Sequence, residues 1–213
     1  MLQFIALLRR NNNREWFADH KTEYEEIRNE CFEEIDKLIN LISTFDSNLA
    51  GLEARECTYR IYRDIRFSPD KSPYKTHFGI VLGKGGKKCK EGAYYLHIEP
   101  GNCALYGGVW FPEQPILTML RHDIEDNIDE FLGIMANPEF KAKFPQLVGD
   151  SLKTMPKGFP KDSKYGEILK KKEFMVMESI PDGYFSQKNW QEGVAADVKL
   201  IKPFVDFLNY TFE

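Results

Sequence analysis

The sequence predicts an α+β protein: an antiparallel sheet of about five strands, with N-terminal and C-terminal helices flanking it. Three observations predict this class. Apolar residues recur every three or four positions over residues 16–42, every two positions between residues 56 and 111, and every three or four positions again beyond residue 115. The connections between the expected strands are short, which favours antiparallel pairing. No repeat or linker divides the 213 residues, so we expect a single domain over 1–213.

The first expected element is a long helix that begins after Asn11 to Asn13. Asparagine side chains accept hydrogen bonds from the free N–H groups of a first helical turn. One face of this helix carries the apolar side chains of Trp16, Phe17, Tyr24, Ile27, Cys31, Ile35, Leu38 and Ile42. The glutamates lie mostly off that face, which is typical of a helix that packs on a core.

The expected strands follow between residues 56 and 111. Over residues 59–67, apolar residues alternate with charged or polar ones, as in a strand with one buried face. Further strands are expected at 78–82, 94–98 and 103–111, the last of them after a turn at Pro100, Gly101 and Asn102. Within it, Gly107 and Gly108 indicate a place where the backbone comes close to a ligand or to another strand.

Helices are expected again in the second half of the chain. Pro115 marks the start of one helix, and Asn137 with Pro138 forms the cap and first residue of another. Residues 153–163 are rich in Lys and Pro and are expected to form a loop, with Ser163 capping a short helix after it. A further strand is expected at 174–179, and a final helix at 190–212 with a kink at Pro203.

Charge is distributed unevenly along the chain, whose net charge is −4. Residues 55–90 carry 10 basic and 3 acidic side chains, a net charge of +7, whereas the segments before and after carry −5 and −6. General nucleic-acid binders gain affinity from many phosphate contacts, so an acidic chain argues against a nucleic-acid partner. The middle block is a local positive field that would draw an anion to one place.

The cysteines and the chain start indicate the compartment. Cys31, Cys57, Cys89 and Cys103 are far apart and form no CxxC pair, which suits reduced thiols and argues against a structural zinc site. The apolar run at the N-terminus has its arginines on the wrong side for a signal peptide. No segment approaches the ~20 apolar residues that a membrane helix needs. We therefore expect a cytoplasmic protein without a membrane partner.

The candidate site is the basic and aromatic stretch over residues 60–77. On a strand, Arg60 and Arg66 would share one face with Asp64 between them, where Asp64 could orient a neighbouring arginine. Arg63 would point to the opposite, apolar face and would need a partner, because burying an unpaired charge is costly. Arginine binds the oxygens of phosphate and carboxylate groups through two parallel hydrogen bonds.

The turn after this stretch adds hydroxyl groups and more cations. Proline fixes φ, and Asp and Ser side chains bond to nearby amides, so we expect a stiff turn. Lys71 and Lys75 lie in the same segment and add positive charge. Tyr74 or His77 could handle protons there. The sequence therefore predicts a site for a small anionic ligand. The predicted ligand-binding residues are Arg60, Arg63, Asp64, Arg66, Asp70, Lys71, Ser72, Tyr74, Lys75, His77 and His97.

A second feature lies on the third expected strand, where Tyr95, His97 and Glu99 share one face. If that face adjoins the arginines, His97 and Glu99 could form a general acid–base pair, because histidine has the pKa best suited to neutral pH. The alternative is a histidine with a structural role.

Other interpretations of the basic stretch stay open. Its arginines can form a solvated face paired with acids of the first helix, or they can dock an acidic partner without catalysis. RNA binding through interleaved basic and aromatic residues is disfavoured by the acidic remainder of the chain. The motifs of nucleotide, zinc-protease and serine-hydrolase sites do not occur, so we expect no cofactor and no metal. The residues do not distinguish an enzyme from a binding protein.

The run RDIRFSPDKSPYKTHFG closely resembles the hallmark of a bacterial family catalogued as domain of unknown function 2461. The resemblance extends to NNNREWFADHKTEYE, GAYYLHIEPG, the GGVWFP stretch with Arg121 in the next helix, and LKTMPKGFPKD. It implies a compact, single-domain cytoplasmic protein and brings no catalytic residue or cofactor with it. The matching positions are Asn12, Asn13, Arg14, Trp16, Phe17, Arg63, Asp64, Arg66, Phe67, Asp70, Lys71, Ser72, Pro73, Tyr74 and Lys75.

Overall fold

A four-stranded antiparallel sheet lies at the centre of the fold. The computed structural model describes all residues, 1–213. Its strands are neighbours in chain order: β1 (Phe78–Leu82), β2 (Ala93–Ile98), β3 (Cys103–Val109) and β4 (Phe174–Ile180). The helices are α1 (Leu2–Arg10), α2 (Arg14–Asp19), α3 (Lys21–Ser43), α4 (Ala54–Cys57), α5 (Gln114–Asp126), α6 (Ile128–Ala136), α7 (Pro138–Lys143), α8 (Gly166–Leu169) and α9 (Trp190–Asn209).

The two faces of the sheet differ in burial. On one face, alternate residues of the strands are fully buried in a contiguous core with α3 and α9: Phe78, Ile80, Leu82, Tyr94, Leu96, Leu105 and Val176. Gly107 also lies on this face. The position requires glycine, because a Cβ there would overlap the side chain of Ile201 in α9. The opposite face carries side chains that are only half-buried, namely Val81, Tyr95, His97, Tyr106, Met175 and Met177.

The prediction of a strand over residues 59–67 is wrong, and the sheet has four strands rather than about five. Only isolated bridges remain there, between Thr58 and Ile80 and between Tyr62 and Tyr74. After residue 60 the chain folds back on itself: the Arg63 N–H donates to the Pro73 carbonyl at 2.9 Å, and the Lys75 N–H to that of Ile61 at 2.7 Å. We call residues 61–75 the basic lobe. A strand would have left Arg63 on an apolar face, whereas the lobe gives its guanidinium polar partners.

Two of the expected helices are each divided in the structure. The N-terminal one breaks at His20 into α2 and α3, and the one after Pro115 breaks at Asn127 into α5 and α6. The caps predicted at Asn13 and Asn137 are confirmed, since their side chains accept N–H bonds from the first turns of α2 and α7. The cap predicted at Ser163 is wrong, because α8 begins after Tyr165 and has no side-chain cap. The final helix continues through Pro203 to Asn209. No helix is long and apolar enough to cross a lipid bilayer.

Candidate functional site

The structure divides the predicted site residues among three places. Arg63, Asp64, Arg66 and neighbours lie in the basic lobe, where they bond mainly to one another. His77 and His97 lie on the half-buried face of the sheet, and Arg60 lines a separate groove against α3. The single shared pocket expected from strand alternation is not formed, because the strand that would have aligned the arginines is absent.

Arg63 holds the basic lobe together from inside. Its guanidinium bonds to the Asp70 carboxylate, to the Ser72 hydroxyl at 2.8 Å and to the Ser68 hydroxyl at 3.3 Å. Hydrogen bonds from Ser72 and then Arg63 hold the pKa of Asp70 far below its usual range. Both Nη atoms of Arg63 are therefore bonded within the lobe, and the residue positions the loop.

Arg66 and Lys71 of the lobe also have local hydrogen-bond partners, whereas the Lys75 ammonium lies over the Tyr59 ring, 4.8 Å from its centroid. Arg66 makes a bidentate pair with Asp64, at 2.9 Å from Nε and 2.6 Å from Nη2, and these bonds lower the pKa of Asp64 to about 2. Lys71 Nζ donates to the Ile65 carbonyl at 3.0 Å. The acids that pair with these arginines thus belong to the lobe, not to the first helix as one interpretation had it.

Tyr74 anchors the lobe to the N-terminal helices. Its ring is buried and stacks on Phe17 with centroids 4.0 Å apart. Its backbone N–H and carbonyl both bond to the Asn12 side chain, at 3.1 and 2.9 Å. Burial raises the pKa of Tyr74. This residue therefore has the surroundings of a core anchor.

On the half-buried sheet face, Tyr95, His97 and Glu99 form a hydrogen-bonded chain. His97 Nδ1 lies 3.1 Å from the Tyr95 hydroxyl, and Nε2 lies 3.2 Å from Glu99 Oε2. Thr76 and Asn102 donate to the same carboxylate at 2.8 and 3.0 Å. We call this chain the relay. It has the order carboxylate, imidazole, hydroxyl that appears in nucleophilic and acid–base sites.

The protonation of the relay follows from its partners. Burial opposes ionisation of Glu99, but the hydrogen bonds from Asn102, His97 and Thr76 outweigh it and leave the pKa of Glu99 below its usual value. An ionised Glu99 accepts a hydrogen bond from His97 Nε2–H, so Nδ1 is the acceptor for the Tyr95 hydroxyl. Burial raises the pKa of Tyr95 to about 12, so its hydroxyl keeps its proton.

His77 stacks beside the relay and is neutral at physiological pH. Its ring centroid lies 4.5 Å from that of His97. Burial, followed by His97, Lys75 and Arg63, lowers the pKa of His77 from 6.5 to about 4. No group of three or more His, Cys, Asp or Glu side chains is arranged to hold a metal ion.

The depressed pKa of His77 predicts a loss of stability in acid. The unfolded chain takes up this proton near pH 6.5 and the folded chain only near pH 4, so stability is complete above pH 6.5 and falls towards pH 4. We expect acidification from pH 7 to 4 to lower the free energy of unfolding by about 2 kcal/mol. This is less than the full pKa shift would give, because the ring is partly exposed to solvent. Urea unfolding of the wild type and of His77→Gln from pH 7 to 4 measures it. Parallel curves for the two proteins would contradict the assignment.

Arg60 belongs to a groove between α3 and residues 55–62. This basic groove has a volume of about 250 Å³. Its charged lining consists of the cations Lys21, Arg28, Arg55, Arg60 and Lys87 and the single acid Glu25. Its apolar lining consists of Phe17, Tyr24, Phe32, Tyr59, Ile61, Tyr62 and Phe78.

Three of the five cations in the basic groove have no carboxylate partner. Lys21 pairs with Glu25 at 3.8 Å and Arg55 with Glu53 at 2.7 Å. Arg28 and Arg60 form no salt bridge, and Lys87 Nζ donates to the carbonyls of Arg55 and Thr58 at 2.7 and 3.3 Å. The groove therefore holds an excess of positive charge that the protein itself does not neutralise.

Two buried polar atoms in the same groove lack a hydrogen-bond partner. They are Arg28 Nε and Thr58 Oγ1. Thr58 is about 95% buried, since its relative exposure is 5%. The Arg28 guanidinium lies 5.8 and 5.7 Å from the ring centroids of Tyr24 and Phe32. Buried polar groups almost always have a hydrogen-bond partner. The groove is unusual because it contains two such groups without a partner beside cations that no carboxylate neutralises.

A family model described as a conserved hypothetical protein, DUF2461, matches residues 1–207. The chain belongs to this family. The DUF2461 match spans the basic groove, the basic lobe and the relay. Neither the curated proteins nor the solved structures contain a significant match to the chain.

The residues of the basic groove other than Arg60 were not predicted from the sequence. Arg28 stands among glutamates on α3, which is typical of a solvated helix face. Thr58 and Lys87 come from separate segments. They become neighbours beside β1, where Thr58 forms an isolated bridge with Ile80 and its carbonyl accepts from Lys87 Nζ. A usable signal was the helical spacing of Tyr24, Arg28 and Phe32, which are four residues apart and therefore share one face.

Proposed function

We propose that the basic groove binds a small anionic ligand. The supporting observation is the coincidence of unpaired cations with unpaired buried polar atoms. Arg28 and Arg60 can donate to phosphate or carboxylate oxygens, and the Thr58 hydroxyl can donate to or accept from the same group. In an otherwise acidic chain this local positive field attracts an anion and fixes where it binds.

The lining also limits the rest of the ligand. Half of the 14 lining residues are hydrophobic, and most of those are aromatic. A volume of about 250 Å³ is slightly below the ~300–1,000 Å³ of drug-sized sites. The ligand class is therefore a compact molecule with one anionic group and one apolar or aromatic part. The ring contacts supply affinity and the guanidinium groups orient the anion.

A thermal-shift screen tests this proposal. The panel consists of phosphate monoesters and carboxylic acids with and without an aromatic ring, measured at low salt. A ligand at 100 times its dissociation constant adds about 2.7 kcal/mol, which raises Tm by about 5–10 °C in a chain of this length. We expect Arg60→Gln to remove most of the shift. Arg66→Gln, which makes the same charge change on the exposed lobe, is the matched control and should keep it.

One observation favours a second function, docking of an acidic partner protein through the basic lobe. Phe67 at the lobe's tip is 93% exposed, beside the largely exposed Arg66. An exposed aromatic ring with a neighbouring arginine is typical of interface anchors. A panel that shifts no Tm, together with salt-sensitive binding to an immobilised acidic peptide with aromatic residues that Phe67→Ser weakens, would favour docking over the groove.

A further inference from the structure

A second cavity, which shares Tyr59 and Lys87 with the basic groove, lies on the half-buried face of the sheet. Its volume is about 520 Å³, within the ~300–1,000 Å³ of small-molecule sites. We call it the aromatic pocket. Seven aromatic side chains line it together with Val81, Ile116 and Met175: Tyr59, Tyr94, Tyr95, Tyr106, Trp110, Phe111 and Phe212. Such a lining suits a planar aromatic ligand, and the charged residues Lys87, Lys90, Glu91 and Glu113 also line the cavity.

The rim of the aromatic pocket contains features that lower the stability of the folded protein. Trp110 and Phe111 are 68% and 64% exposed, and their rings meet edge to face at 5.4 Å. Phe111 is the chain's one non-glycine residue with positive φ, at 43°. That conformation is strained for a bulky side chain, and such strain clusters at ligand sites. Two large apolar rings are thus held out in solvent at the mouth of a cavity.

The relay ends at this pocket. Tyr95 is one of its lining residues, and its hydroxyl donates to His97 Nδ1, with Glu99 on the far side of the imidazole. The Tyr95 oxygen retains lone pairs that can accept a further hydrogen bond from a ligand. A carboxylate–imidazole–hydroxyl chain whose tyrosine lines the cavity has two parts of a general base, a proton acceptor and a fixed tautomer. Lys87 and Lys90 in the same lining can stabilise the anion that removal of a proton leaves.

We propose that the relay acts as a general base on a planar aromatic ligand with a weakly acidic hydroxyl group, bound in the aromatic pocket. The ligand's O–H bond breaks and its electron pair stays on the ligand oxygen. The released proton joins the Tyr95 oxygen while the tyrosine's own proton moves to His97 Nδ1. The resulting imidazolium is stabilised by the Glu99 carboxylate. Trp110 and Phe111 pack against the ligand ring.

The test uses 4-nitrophenol, whose phenolate absorbs visible light, at a pH one unit below its pKa in water. With wild-type protein we expect phenolate absorbance to rise, as for a bound pKa lowered by about one unit, which is a tenfold change in the ionised ratio. His97→Gln and Glu99→Gln should bind the phenol without ionising it. Tyr95→Phe should also lose the signal. Arg66→Gln is the control and should behave as wild type.

The methyl ether 4-nitroanisole separates binding from proton transfer. It binds in the aromatic pocket and should therefore quench Trp110 fluorescence. Because it has no acidic hydroxyl, we expect equal quenching in the wild type and in the relay variants. Quenching retained by the relay variants also shows that they are folded. The proposal is overturned if 4-nitrophenol does not bind, if it binds without ionising, or if ionisation persists in His97→Gln and Glu99→Gln.

Discussion

Gly108→Ala is expected to destabilise the protein by about 3 kcal/mol or more, a large fraction of the ~5–15 kcal/mol by which a typical domain is stable. Gly108 lies in β3 with φ at 131°, a region that residues with a Cβ rarely adopt. A Cβ there would also overlap the carbonyl oxygen of Phe174 in β4. The substitution therefore adds a backbone clash to conformational strain, and neither strand can move without breaking the ladder between them.

Gly101→Ala is the matched control for this prediction. Gly101 has φ at 79°, but a Cβ there meets nothing within 4 Å. We expect a cost of about 1–2 kcal/mol from the left-handed backbone alone. Urea unfolding of both variants measures the difference. Equal losses would mean that the close approach of β3 and β4 at Gly108 does not constrain the fold.

Much of the fold could be predicted from the sequence because local patterns determine it. Period-two alternation located β1, β2 and β3, and Asn13 and Asn137 marked two helix starts. The same alternation failed over residues 59–67. There the polar partners of Arg63 come from Ser68, Asp70 and Ser72, and those contacts form only when the chain turns back. Alternation describes side chains and does not reveal where the backbone finds its hydrogen bonds.

The candidate site was less predictable, because its residues meet through tertiary packing. Strand alternation correctly placed Tyr95, His97 and Glu99 on one face, and the structure adds that they bond in sequence. The expected adjacency of Arg60 and Arg66 depended on a strand that does not form. Arg28 reaches the groove only because α3 packs beside residues 55–62, a long-range contact that no short motif encodes.

Arg28→Gln is expected to weaken binding of phenyl phosphate in the basic groove about 10- to 100-fold. Hydrogen bonds to charged groups contribute about 1.5–3 kcal/mol, and the guanidinium of Arg28 has no carboxylate to compete with the ligand. Arg66→Gln should change the affinity by about twofold or less, because its exposed charge is screened and already paired. Thr58→Val should weaken binding too, yet stabilise the free protein by about 1 kcal/mol, because it removes an unpaired buried hydroxyl.

Calorimetric titration of phenyl phosphate into the wild type, Arg28→Gln, Thr58→Val and Arg66→Gln at low salt tests most directly whether the basic groove is a ligand site. Binding that is strong in the wild type and in Arg66→Gln, and weak in the other two variants, is the predicted result. No heat of binding to the wild type, or the same affinity for Arg28→Gln and Arg66→Gln, would contradict the assignment of the groove.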